Sequence, residues 1–419
     1  MKLKLNAATV DKMKEKARVQ NRVEFVDEFN DFFEEVGSKF INRDSEIMQI
    51  KAALIMKEHV LLRGKPGTAK SLLARTIFHH IKDDADEKLK TFEIQFSKFM
   101  SEDYVFGPLN IKKMREDGVI EHNTKGSIVD SHFAFIDEFF DGSDVLIRSL
   151  LEVLNERTFT RNQQQIKCKL HTAILTSNFV RDDESVEAIV DRILFKANVQ
   201  PLPDKTARIK MYKQYISRAN NGIIKLDKTL KLSTIEKLSE ELLDIEVESD
   251  ILTYYDEVLK EFCKQTGKYI SDRTANKCLN LIRLGALLGN KAKTSVDDIV
   301  HIKNVVVGGN KALKDDAQEA TFFDVAFDKI VVTGREEILE LGQIENEYGD
   351  KMVEKLRATK WESDPEKNLL KLIKEENRLI KELNEKVDTY KTNAARDALS
   401  NIVRKLQEDI GKAKAEIIV

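Results

Sequence analysis

The chain has 419 residues, 42% of them apolar and 34% charged, and a formal net charge of -3 from 69 basic and 72 acidic side chains. That length accommodates two or three domains with buried cores, and with only 5 prolines and 17 glycines it is neither collagen-like nor disordered. Near-balanced charge without a basic block speaks against a dedicated nucleic-acid binder.

Cys168, Cys263 and Cys278 are odd in number, widely spaced and without histidines at ligand spacing. They read as reduced, buried thiols and not as a disulfide framework or a zinc site. The basic start lacks a following apolar stretch, so it is not a secretory signal. No window approaches the ~20 apolar residues needed to cross a bilayer. A soluble, cytoplasmic protein without membrane insertion is expected.

In chain order, residues 1–50 read as helical, with the aromatics of 25–36 on one stripe that suits packing. Residues 59–63, 91–96, 132–137 and 171–177 are short apolar runs that suit buried strands, and 194–200 suits a fifth. Helical segments alternate with them, which implies a mostly parallel sheet covered on both faces. Pro201 and Pro203 mark a boundary. Helices fill the span from there to about 315, and the glycines at 308 and 309 break that pattern. The fold class is therefore an α/β core with a parallel sheet between helices, then an all-α lid and a C-terminal helical bundle or hairpin. Domain boundaries follow at 1–205, 206–315 and 316–419. In the last part Ser363, Pro365 and Glu366 fit a helix start. A series through Leu369, Ile373, Glu376, Ile380, Leu383, Val387 and Tyr390 at alternating four and three spacing, and an apolar series through Leu399, Ile402, Leu406, Ile410 and Ala413, suit two antiparallel helices.

The chemistry begins at Gly64, Lys65, Pro66, Gly67, Thr68, Ala69, Lys70, Ser71 and Leu72, between an apolar strand and a helix. Glycines let backbone curl around phosphates, and a helix start offers unpaired N–H groups with a positive dipole end. Lys70 would neutralise the β and γ phosphates, and the Ser71 hydroxyl would ligate Mg²⁺. Ala69 stands where glycine usually precedes the lysine, and alanine should be tolerated there if the residue is already in helical φ/ψ, which needs no left-handed conformation. A second apolar strand ends in Asp137, suited to hold Mg²⁺, and Glu138, suited to polarise the attacking water. A third strand ends in Asn178, whose amide could orient that water. Arg192 and Arg273 follow, the latter behind Ser271 or Asp272 as a helix cap.

In this order the phosphate loop, the strand ending in Asp-Glu, the strand ending in Asn178, the Asp191-Arg192 pair and the Ser271-Asp272-Arg273 triplet resemble the AAA+ superfamily. The likeness is closer to the MoxR group and, within it, the RavA branch. That branch shares Ala69 before the lysine, residues 101–111, 117–128 and 151–159, and the Ser-Asp-Arg triplet. The resemblance is dense over residues 40–205 and thinner to about 315. It implies ATP and Mg²⁺ as cofactors, with Lys70, Ser71, Asp137 and Glu138 as Walker residues and Asn178 as sensor 1. It further implies Arg192 as an arginine finger acting on a neighbouring subunit and Arg273 as sensor 2. A ring, typically a hexamer, and a partner with a von Willebrand factor A (vWA) domain also follow from it. The β-rich insert of RavA is not seen between 315 and 419. Residues 156–168 read as a hairpin that the family uses near its pore. Tyr104 and Phe106 could face a pore, though loop packing suits both.

The implied function is an ATPase that remodels or assembles a protein partner. A nucleic-acid-linked NTPase, such as a helicase loader or restriction-type motor, stays open as the alternative. A non-hydrolysing scaffold is disfavoured because every expected catalytic residue type is present.

Overall fold

The computed structural model describes residues 7–161, 164–178, 191–202, 204–217, 223–308 and 316–334, with scattered positions from 336 to 408. Side chains are described from Arg22 onward. The chain divides into two compact units, Met1–Glu246 with Tyr269–Glu319, and Val247–Lys268 with Ala320–Val419.

The first unit opens with helices α1 (Ala7–Lys39) and α2 (Asp44–Met56). Phe29, Phe32, Phe33 and Val36 are all buried, because residues three and four apart share one helical face. Next come β1 (Val60–Arg63), α3 (Lys70–His80), β2 (Ile81–Lys82) and β3 (Thr91–Gln95). The short helices α4 (Asp103–Phe106) and α5 (Ile111–Asp117) lead to β4 (Phe133–Asp137) and α6 (Asp144–Glu156). The expected hairpin is present as β5 (Thr158–Arg161) paired antiparallel with β6 (Gln164–Lys167). Strands β7 (Thr172–Ser177) and β8 (Phe195–Asn198) complete the sheet.

Five strands pair in the order β3-β4-β7-β1-β8, every pair parallel. The expected strands, including the fifth, are all found, and the sheet lies between helices as the α/β reading requires. Strand β7 is buried along its whole length, which is why its sequence shows an apolar run and no alternation.

Ser143 caps helix α6 by accepting the Leu146 N–H at 3.3 Å. Leu146, Ile147, Leu150, Leu151 and Leu154 enter a core shared with Phe96, Phe106, Phe139 and Phe159. Arg148, Glu152 and Asn155 fall on the opposite, exposed face. His59, just before β1, ties α6 to the sheet. Its Nε2–H donates to the Leu154 carbonyl at 3.0 Å while Nδ1 accepts the Ala173 N–H at 2.9 Å. Burial pushes its pKa well below the usual imidazole range, with Arg157 adding to the effect. The ring is neutral.

Beyond the sheet the first unit continues through α7 (Lys205–Ser217), β9 (Leu230–Lys231) and α8 (Leu232–Asp244). Helix α9 (Ser249–Thr266), within the 206–315 span, falls in the second unit. Helix α10 (Asp272–Leu288), a 3₁₀ stretch (Val296–Ile302) and α11 (Lys303–Val306) return to the first. Ser271 caps α10 by accepting the Thr274 N–H at 3.3 Å. Helix α12 (Asp316–Phe327) follows. Within the second unit Phe262 of α9 meets Phe323 edge-on at 5.9 Å, and Lys329 pairs with Glu261 at 3.0 Å. Leu383, Tyr390 and Leu399 of the expected C-terminal series are buried. The helix start at 363–366, Gly309, the other residues of both series apart from Ile380 and Ile402, and most of the span in which no β-rich insert is expected lie outside the described residues.

Two expectations need correction. Phe106 packs as expected, with its ring centroid 5.2 Å from that of Phe159, but Tyr104 is 68% exposed. The four-residue helix α4 turns one aromatic inward and leaves the other in solvent. Cys168 and Cys278 are buried, whereas Cys263 is only partly so. Among the described residues no helix is long and apolar enough to cross a membrane.

Leu150→Ala should cost about 2–5 kcal/mol by urea unfolding, because it opens a cavity at the centre of this core. Arg148→Ala, two residues earlier on the exposed face, should stay within about 0.5 kcal/mol. Equal losses for the two would refute this orientation of α6.

Candidate functional site

The loop from Gly64 to Ala69 joins the tip of β1 to the start of α3. Gly64 donates its N–H to the Ser177 carbonyl at 3.0 Å. A Cβ there would stand 2.3 Å from the Val199 carbonyl oxygen, so only glycine permits the approach of the two backbones. Gly67 adopts φ 79°, and nothing lies within 4 Å of where its Cβ would be. The loop is open on the side where a Gly67 Cβ would project.

Ala69 departs from expectation. It sits at φ 66°, ψ 19°, in the left-handed region and not in helical φ/ψ. An alanine there carries a Cβ–carbonyl clash that glycine avoids, of order 1–2 kcal/mol. Motif spacing carries no information about φ, so the sequence could not reveal this. The Ala69 carbonyl still accepts the Leu73 N–H at 3.0 Å, opening α3.

Lys70 is only 7% exposed. Its ammonium donates to the carbonyls of Gly64 and Lys65, the latter at 3.1 Å, and to Asn178 Oδ1 at 3.0 Å. Burial pulls its pKa below the usual lysine range, against the opposing pull of the Asp137 and Glu138 carboxylates. Asp137, at the tip of β4, accepts from the Thr176 hydroxyl and from the Glu138 N–H at 3.1 Å. Its Oδ2 lies 3.5 Å from the Ser71 hydroxyl. Glu138 is also left-handed, at φ 52°, and its carboxylate accepts from Asn178 Nδ2. Burial, then the nearby Asp137 and Asp141 carboxylates, raise the Glu138 pKa above the usual glutamate range. Lys70, Ser71, Asp137, Glu138 and Asn178 thus form one connected polar cluster.

A cavity of about 350 Å³ adjoins the outer side of the loop, lined by Lys65 through Ala69 and Leu72 and by Phe40, Ile41, Arg43, Pro201, Leu202 and Met211. Arg43 is buried and donates to the carbonyls of Thr68 at 3.3 Å and Gln200 at 2.9 Å. Of the lining residues, sequence reasoning found Lys65 through Ala69 and Leu72 but missed Phe40, Ile41, Arg43, Leu202 and Met211. Its nearest signals were the break between α1 and α2 and the proline at 201, read only as a boundary.

Arg192 and Arg273 are not part of the loop cluster. Both are exposed and line a separate cleft of about 390 Å³ with Arg148, Glu152, Glu156 and Lys277. The Ser271 hydroxyl donates to Asp191 at 3.0 Å, holding the two arginine-bearing segments together.

Replacing Ala69 by glycine removes the left-handed clash and adds chain entropy to the unfolded state. The net effect expected in denaturant unfolding is a gain of about 0.5–1 kcal/mol. A loss of stability would show that the loop tolerates alanine without strain.

The profile of the MoxR domain in the MoxR-vWA-beta-propeller ternary systems (bpMoxR) matches residues 27–239. Two uncharacterized proteins of Methanocaldococcus jannaschii are 28% identical over 278 residues and 29% identical over 280. Each alignment covers 65% of this chain, and they span 68% and 69% of those proteins. Chaperone MoxR1 of Mycobacterium tuberculosis is 28% identical over 181 residues, covering 42% of this chain and 45% of its own. A crystal structure of a candidate ATPase from Cytophaga hutchinsonii superposes with a TM-score of 0.58 at 18% identity. It covers 76% of this chain and 98% of that one, a likeness of fold alone. With the family profile spanning half its length, the chain belongs to the bpMoxR family and is a MoxR-type AAA+ ATPase.

Proposed function

We propose that this protein hydrolyses ATP with magnesium, in a ring of identical subunits, to remodel or assemble a protein partner. The observation that carries this reading is the Asn178 amide, which accepts from the Lys70 ammonium and donates to the Glu138 carboxylate. An amide can serve both, because its oxygen accepts from the cation while its nitrogen donates to the anion.

The residues fit a triphosphate. The open backbone at Gly67 and the start of α3 suit phosphate oxygens, and Lys70 would exchange its carbonyl partners for them. The cavity beside Arg43 suits the base, since Phe40, Ile41, Leu72, Leu202 and Met211 give it apolar walls among polar neighbours. Ser71 and Asp137 would hold magnesium, because a hydroxyl and a carboxylate are the hard donors that ion takes. The ion would supply positive charge against the phosphate oxygens. Glu138 is the base: it takes a proton from the water whose oxygen attacks the γ-phosphorus. The bond from that phosphorus to the bridging oxygen breaks, ADP leaves with the electron pair, and the proton leaves with orthophosphate. Asn178 aims Glu138, and Arg192, with Arg273 beside it, serves the site of a neighbouring subunit.

Similarity over residues 101–111, 117–128 and 151–159 supports a RavA-like placement. The family's place in ternary systems with a vWA component supports a vWA-domain partner, and the name of the mycobacterial relative a chaperone-like role. A hexameric ring in the cytoplasm completes the reading.

Glu138→Gln should lower phosphate release at least about 100-fold while leaving nucleotide affinity nearly unchanged. In ATP that variant should retain a vWA-domain protein in pull-downs. Turnover within about twofold of the parent would sink the assigned base. Nucleic acid recovered in place of protein would favour the other motor class.

Because the Glu138 carboxyl is raised, the base is lost by protonation at a pH above the ordinary glutamate value of about 4.3. The rate measured against pH should therefore fall on an acid limb above that value. A limb at or below it would mean that a different group takes the proton.

A further inference from the structure

The cleft that holds Arg192 and Arg273 contains a third arginine. Arg148 projects from the exposed face of α6, whose opposite face is locked into the core through Leu146, Ile147, Leu150 and Leu151. Its rotation about the helix axis is therefore fixed. Arg192 and Arg273 are held relative to each other by the Ser271–Asp191 hydrogen bond. Among the described residues no hydrogen bond or ion pair engages the side chain of Arg148, Arg192 or Arg273.

Two of the cleft's other charges are already used. Lys277 pairs with Glu58 at 2.7 Å, and Glu152 lies 3.6 Å from Arg161. Three guanidinium groups then face one remaining carboxylate, Glu156. Planar guanidiniums with unused donors are suited to phosphate oxygens. None of residues 64–72 lines the cleft, so an anion that suits it would be presented by another surface. The chain's own nucleotide cavity adjoins the loop.

We infer that Arg148 is a further residue of the ATPase reaction, joining Arg192 and Arg273 in one cationic cleft that clasps the terminal phosphate of ATP bound by a second copy of this chain. This rests on the ATPase reading above. Arg148 adds positive charge where charge builds on the γ-phosphoryl group, and it does so across the subunit boundary.

Phosphate release by the full chain with magnesium and ATP tests the inference. Arg148→Ala should reduce turnover about 10- to 100-fold, less than the loss of a donor in a closed oxyanion site. Arg148→Lys should recover part of it, and nucleotide affinity at concentrations that separate subunits should be unchanged. The decisive measurement mixes Arg148→Ala chains with Glu138→Gln chains. Sites that pair an intact Glu138 on one subunit with an intact Arg148 on its neighbour would regain turnover, which no role within one chain can produce. The pair Arg192→Ala with Glu138→Gln is run alongside. Recovery in that pair without recovery for Arg148 overturns the inference alone. Failure of both pairs overturns the shared-interface reading together with it. Parental turnover in Arg148→Ala, or weakened nucleotide affinity in separated subunits, also overturns the inference.

Discussion

A buried ammonium and a carboxylate share one amide at the tips of three parallel strands. Lys70 follows β1, Glu138 follows β4 and Asn178 follows β7, and these strands are neighbours in the order β4-β7-β1. The register is what makes this possible. Leu62 pairs with Thr176 and Arg63 with Ser177, so β1 and β7 end level. A slip of one residue would turn each side chain to the opposite face of the sheet and separate the three groups. Burial on both faces of the sheet holds that register. The hydrophobic core and the polar cluster are therefore one design, the first setting the geometry of the second.

The site also holds backbone in costly conformations. Ala69 and Glu138, neither of them glycine, occupy the left-handed region on either side of the cluster, at a cost of order 1–3 kcal/mol each. Both stand where a strand must hand over abruptly to a helix or helical turn. The surrounding core absorbs that cost, and the result is a loop and a carboxylate with few alternative positions. Arg43 stiffens the arrangement from outside by bridging the carbonyls of Thr68 and Gln200.

Much of this was legible in the sequence. The central strands β1, β4 and β7 stood out because strands buried on both faces cannot alternate, and the residues after them are the ones gathered in the polar cluster. The hairpin at 158–167 and the Ser271 cap were equally local signals. What escaped was anything assembled from distant segments or set by φ. Phe40, Arg43, Leu202 and Met211 meet in one cavity, yet each alone resembles an ordinary core or surface residue. Ala69 gave no hint of its left-handed backbone. No motif singles out Arg148, and only the fold sets it beside Arg192 and Arg273. Tyr104 and Phe106, two residues apart, had the same pattern value and opposite fates.

The neutral histidines at the back of the sheet make acid a specific weakness of this fold. His59 cannot accept a second proton without turning Nδ1, an acceptor for the Ala173 N–H, into a competing donor. His171, held down to about 3 chiefly by burial and then by Lys57 and Arg157, is likewise uncharged. In the unfolded chain both rings titrate near pH 6.5. Below that point the unfolded chain takes up protons that the folded one refuses, and each ring erodes stability by about 1.4 kcal/mol per pH unit until its folded pKa is reached. Through His59, that loss falls on the joint between α6 and the strands.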